Sequence, residues 1–215
     1  MKNLLSYGWT VIFGALLVMG VLWGSLVSFG VFFKPISQHL GLTRAATSAA
    51  FSTNFVVNGF FGIITGWFTD KYGPRKVVIP GAILAGSGYL LMSQLTSLWQ
   101  LYFFFGVVTA LGQSVYWTPL MATVSRWFTM NRTLAIGIVL MGLGIGQMTM
   151  PPLMASIINE HGWRVACITM ATLIWLIAIP GAMLLRGSPR SVRIVASGDT
   201  GEHNIDLVDK RKEIR

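Results

Sequence analysis

The sequence predicts an all-α membrane protein of six transmembrane helices. Three observations carry that prediction. Only 11% of the 215 residues are charged while 53% are hydrophobic, against about 25% charged in an ordinary soluble domain. The mean hydropathy is +0.65, which leaves too little polar surface for a water-soluble globule and too little charge for a disordered chain. Finally, Lys, Arg, Asp and Glu are absent from five long windows, 3–33, 45–69, 77–125, 133–159 and 165–185.

A spanning helix needs ~20 mostly apolar residues. The first window provides one span, 8–33, far longer than the apolar part of a signal peptide. The second provides 46–69. The third holds 49 residues and is interrupted by Ser93-Gln94-Leu95-Thr96-Ser97. It therefore splits into 77–95 and 98–126 around a tight turn, with Pro119 expected to kink the latter. The last two windows give 134–158 and 164–185. The domain reading is a six-helix bundle over 1–186 and a polar tail over 187–215, where five acids mix with basic residues and aromatics are absent.

Charge placement sets an expected orientation. With the N-terminus inside, thirteen Lys and Arg residues fall on the cytoplasmic side: Lys2, Lys71, Arg75, Lys76, Arg126, Arg132 and seven from Arg186 onward. Only Lys34, Arg44 and Arg164 fall outside. The positive-inside rule then places both termini in the cytoplasm of an inner (plasma) membrane protein. The net charge of +9 is an orientation signal, so no nucleic-acid partner is expected; the lipid bilayer is.

The loops after the second and fifth helices share Gly-x-Arg, at Gly73–Arg75 and Gly162–Arg164, 89 residues apart. This maps helices 2–3 onto helices 5–6. Two three-helix units of that kind lie in opposite orientations, as inverted repeats.

The most specific stretch is Gly66-Trp67-Phe68-Thr69-Asp70-Lys71-Tyr72-Gly73-Pro74-Arg75-Lys76. Gly66 admits close helix approach. Gly73 and Pro74 reverse the chain. Asp70 ends a helix, where the dipole disfavours an anion, so it needs a partner: Arg75, Lys76, Arg126, Arg132 or the N-terminus of a helix not present in this chain. Such a network would latch the cytoplasmic side.

This stretch resembles the loop signature of the major facilitator superfamily, between that family's second and third helices. Within it, the chain is similar to the monocarboxylate-porter and oxalate/formate-antiporter group. The residues are Phe32-Phe33-Lys34, Leu101-Tyr102, Trp127-Phe128 with Arg132, Leu134, Ala135 and Gly137, and Gly162-Trp163-Arg164. The resemblance implies the N-terminal half of a twelve-helix carrier, with helices 1, 2, 4 and 5 lining a central cavity. It also implies a small-molecule substrate, an organic anion such as a carboxylate. The group's usual lysine inside helix 1 has no counterpart around Val27 and Ser28.

Candidate cavity residues are Asn54 and Asn58, which share a face with Thr47 and Thr65, then Gln113, Tyr116 and Trp117, and Gln147. Each could equally hydrogen-bond between helices. Gly142-x-x-x-Gly146 reads as close packing. Cys167 reads as an inert buried thiol. No Asp, Glu or His lies deep in a span, so no proton relay, metal site, cofactor or enzyme centre is expected. The expected function is secondary active transport by alternating access, completed by a second six-helix half or self-association. The alternative is a non-transporting six-helix unit that needs a partner chain.

Overall fold

The computed structural model describes residues 2–128 and 132–185, with side chains from Gly8 onward. The expected tail, 187–215, lies outside the described residues. Among the described residues every regular element is helical. The six helices are α1 (Lys2–Leu40), α2 (Arg44–Tyr72), α3 (Pro74–Met92), α4 (Leu98–Trp127), α5 (Arg132–His161) and α6 (Trp163–Leu184). All but α3 are long and apolar enough to cross a membrane. In α3, Arg75 and Lys76 in the first turn lower the hydropathy of a 19-residue helix.

The expected span 8–33 is too short at both ends. Lys34 sits on the exposed side of α1, while Phe29, Phe32 and Ile36 continue the buried stripe past it. A single charge on the outer face does not end a helix whose inner face still packs. His39, expected in a loop, therefore falls in the last turn of α1. α2 then starts on an N-cap, where Thr43 Oγ1 accepts from the Ala46 amide at 3.2 Å, the arrangement that satisfies an orphan helix donor.

α4 also differs from the expectation. After one α-turn (Leu98–Leu101) it widens into a π-helical segment (Tyr102–Thr109), tightens again (Ala110–Gln113), breaks at 114–117 and resumes at Thr118–Trp127. Pro119 does not kink a continuous helix. It sits in the first turn of the last piece, where no backbone N–H donor is needed.

α1 is the central helix and packs along α5 and α6; α3 packs on α6 and α4; α2 packs on α4. The α1–α5 contact is backbone on backbone. A methyl group at Gly146 would press into the Gly20 carbonyl oxygen, and one at Gly142 would meet the Leu16 carbonyl oxygen. In lipid, where apolar burial gives little drive for association, such close approach supplies the dispersion contacts that hold helices together. The middle of the bundle is aromatic: Phe29 of α1 stacks on Phe105 of α4, centroids 3.9 Å apart, and Phe51 and Tyr89 close around them from α2 and α3. Cys167 is fully buried on α6.

Candidate functional site

The functional groups fall into three sets: an ion pair at one end, a buried polar ladder, and an aromatic cluster at mid-height.

At the end that carries the α2–α3 loop, Arg126 from the last turn of α4 donates to the Asp70 carboxylate in the last turn of α2, at 2.5 Å. Both side chains are about half exposed, 44% and 54%. Solvent screening keeps such a pair to roughly 0–1 kcal/mol, a strength that can be broken and remade. Of the four basic residues named as partners for Asp70, Arg126 is the one paired. Arg75 instead donates to the Met183 carbonyl at the C-terminus of α6. Lys71 points outward, its ammonium 5.1 Å from the Trp67 ring and 5.4 Å from the Tyr72 ring. Lys76 and Arg132 are exposed and make no ion pair among the described residues. Gly66 faces a side chain, the Thr118 methyl of α4, rather than a backbone.

The loop itself turns on Gly73, with φ 88° and ψ 156°. Gly162 takes nearly the same conformation, φ 84° and ψ 164°, a region that side chains essentially never enter. Each glycine launches an arginine onto the opposite helix end. Arg75 at the start of α3 clasps the end of α6. Arg164 at the start of α6 donates from Nε to the Ser93 carbonyl at the end of α3, at 3.1 Å. Both cations sit where a helix C-terminus presents unpaired carbonyls, the end the macrodipole makes negative. Arg164 Nη2 also lies 3.1 Å from His39 Nε2.

The polar ladder joins four helices. Asn54 Nδ2 of α2 donates to the Phe105 carbonyl in the π-helical segment at 2.8 Å and to Gln113 Oε1 at 3.3 Å. Gln113 Nε2 donates to Ser25 Oγ of α1 at 2.9 Å, and Tyr89 of α3 donates to the Ser25 carbonyl at 2.6 Å. Asn54 and Gln113 are both 0% exposed. Asn54 Oδ1 and Asn58 Nδ2 are buried with no partner among the described residues. Tyr89 is absent from the expected set because the resemblance leaves helix 3 out of the cavity-lining helices. A tyrosine hydroxyl deep in a span needs an acceptor, and that requirement was the available signal.

The aromatic cluster links α5, α1 and α4. Trp23 Nε1 points at Gln147 Oε1 at 3.5 Å, the outer limit of a hydrogen bond. The Trp23 ring lies 5.7 Å from Tyr116, which lies 6.3 Å from Trp117. Gln147 and Trp117 are exposed. The structure thus divides the candidates: Asn54 and Gln113 meet inside the bundle, Asn58 sits one turn along the same face, Tyr116 and Gln147 meet Trp23, and Trp117 meets Tyr116. Among the described residues no cluster of three His, Cys, Asp or Glu could hold a metal.

Residues 11–207 match the Major Facilitator Superfamily. The chain is 35% identical over 179 residues to monocarboxylate transporter 13 of Rattus norvegicus, covering 83% of this chain and 42% of the relative. It is 30% identical over 185 residues to monocarboxylate transporter 1 of Bos taurus, covering 86% and 37%. It is 28% identical over 205 residues to the human form of that transporter, covering 95% and 41%. The chain thus spans about two fifths of the length of the curated relatives it matches. These relatives are transporters by name, not enzymes. A multi-pass helical membrane protein matched to the superfamily over most of its length, and to monocarboxylate transporters over four fifths or more of it, belongs to the Major Facilitator Superfamily, with its relatives in the monocarboxylate-transporter group.

Proposed function

We propose that this chain is the N-terminal six-helix half of a secondary active transporter that moves a small organic anion, such as a carboxylate, by alternating access. The observation that carries the reading is a juxtaposition within one bundle. A partly exposed aromatic–amide cluster sits at mid-height, where carriers bind substrate, and a half-exposed Asp70–Arg126 pair closes one end.

The bundle is two inverted three-helix repeats. In support, its pairings interchange when helices 1, 2, 3 are swapped for 4, 5, 6. The α1–α5 pair answers to α4–α2, α1–α6 answers to α4–α3, and α3–α6 maps onto itself. The reciprocal clasps of Arg75 and Arg164 obey the same exchange.

A second six-helix half, or a second copy, completes the pathway. Only 17% of the most apolar stretch of α2 and 28% of that of α5 is buried within this bundle, against 61% for α1. Those two helices carry the face that meets the partner. The latch end and both termini face the cytoplasm of an inner (plasma) membrane, a reading supported by the excess of basic residues in those loops. Breaking the Asp70–Arg126 pair opens that end, and reforming it closes it. The test is counterflow of labelled small carboxylates in proteoliposomes holding the carrier expressed from its complete reading frame. Saturable counterflow of a carboxylate supports the reading. Absence of counterflow for every acid in a correctly inserted protein overturns it.

A further inference from the structure

We infer that Trp23, Tyr116 and Trp117 form a stacking platform for the planar, unsaturated part of the solute, with the Gln147 amide donating to its polar group. The site would then prefer an aromatic or heteroaromatic acid to an aliphatic acid of similar size. The inference rests on the carrier reading above and adds a substrate class to it.

The geometry comes first. The ring separations of 5.7 and 6.3 Å fall within the 4.5–7 Å range of interacting aromatic pairs. Tyr116 is tilted 54° to Trp23 and stands at 80° to Trp117, so the three rings form one angled aromatic wall rather than a single plane. Tyr116 is 7% exposed and acts as backing, whereas Trp117 is 48% exposed and offers a free face. Trp117 ends the 114–117 break of α4, so its backbone leaves the regular helix and can project the indole beside the bundle axis.

The exposed surface here is not a lipid surface. Trp23 and Gln147 lie near the middle of α1 and α5. An exposed primary amide at that height would face hydrocarbon with its donors unmet, which costs several kcal/mol. Tryptophan in lipid favours the interface rather than the bilayer centre. Gln147 Nε2 has no hydrogen-bond partner among the described residues, since its Oε1 takes the Trp23 N–H. A polar cavity accounts for both groups. The spans 3–33, 77–125 and 133–159 that supply the cluster hold no Lys, Arg, Asp or Glu. Whatever recognises a substrate's charge lies elsewhere, so the selectivity this face can exert is for shape and π-character.

The test is equilibrium dialysis on the carrier expressed from its complete reading frame, in lipid nanodiscs, with radiolabelled benzoate, cyclohexanecarboxylate, acetate and the neutral benzamide. Benzoate should bind about three- to tenfold more tightly than cyclohexanecarboxylate, the range expected of one aromatic stacking contact. Trp117→Leu should abolish that preference. Trp99→Leu, at an 80% exposed tryptophan outside the cluster, should leave it intact. Equal binding of the two ring acids, a preference that survives Trp117→Leu, or no binding of either aromatic probe would overturn the platform. The two readings fail separately. If benzamide binds as well as benzoate and acetate does not bind, the platform stands and the anion reading falls. If the three acids bind alike, the anion reading stands and the platform falls.

Discussion

Asn54→Leu asks whether the polar ladder is a sealed packing element or part of a wet cavity. Leucine shares asparagine's branching and heavy-atom count, so the change removes hydrogen bonds without opening a cavity. Asn54 supplies two of them, at 2.8 Å to the Phe105 carbonyl and 3.3 Å to Gln113 Oε1. An interhelical hydrogen bond in one measured membrane protein averages about 0.6 kcal/mol, so losing both costs about 1.2 kcal/mol. The substitution also removes Asn54 Oδ1, which is buried without a partner, and that offsets part of the loss. We expect a net cost of roughly 0.5–1.5 kcal/mol. Asn54→Asp should cost more, about 2.5–3.5 kcal/mol, because a carboxylate in place of the amide faces two oxygen acceptors with no donor. The assay is reversible unfolding in mixed micelles with increasing SDS, followed by circular dichroism. A double-mutant cycle with Gln113→Leu should return a coupling of about 0.5 kcal/mol between the two side chains. If Asn54→Asp is tolerated as well as Asn54→Leu, and the coupling is zero, Asn54 faces water and the sealed ladder is wrong.

Three further outcomes follow. Gly146→Ala should destabilise the bundle by about 1–3 kcal/mol, since the new methyl meets the Gly20 carbonyl. Gly144→Ala, with open space around it, should be neutral or stabilising by roughly 0.5–1 kcal/mol through helix propensity; paired unfolding curves give both. Gly73→Ala and Gly162→Ala should each cost about 1–3 kcal/mol from the positive φ alone, and equal costs at the two sites would match their common conformation. Arg164→Met should lower the melting temperature in detergent by removing the bond to the Ser93 carbonyl. Arg164→Lys should recover only part of that, because a single ammonium cannot reach both Ser93 and His39 with the planar fork of a guanidinium.

The six spans were legible because a bilayer excludes charge, and exclusion leaves a mark in composition that needs no tertiary knowledge. The ends were less so. Lys34 marks a boundary in hydropathy, but Phe32 and Ile36 carry the packing stripe past it, and only packing reveals which face a charge occupies. In α4, Pro119 signalled an irregularity without locating it. The π-helical segment has no composition of its own, and the Asn54 bond to Phe105 that accompanies it joins residues 51 apart in sequence. Asp70 announced its need for a partner through its helix end, while the choice of Arg126 over Arg75 depended on α6 offering Arg75 a carbonyl nearby. The polar residues of α2 and α4 were recognisable as one set. Whether each faces a neighbour or a cavity is decided by the rotation of α2 against α4, which places Asn54 and Gln113 side chain to side chain.

The charge exchange at the latch tests the account's central claim most directly. Asp70→Arg and Arg126→Asp, singly and together, are placed in the complete carrier, and initial uptake of a transported carboxylate is measured at equal membrane insertion. Each single change sets like charges against each other at the end of α2 and α4 and should depress uptake strongly. The double change restores an opposite-charge pair in the same geometry and should recover a large part of it. Uptake in the double variant no better than in either single one, with insertion unchanged, would contradict a latch formed by this pair.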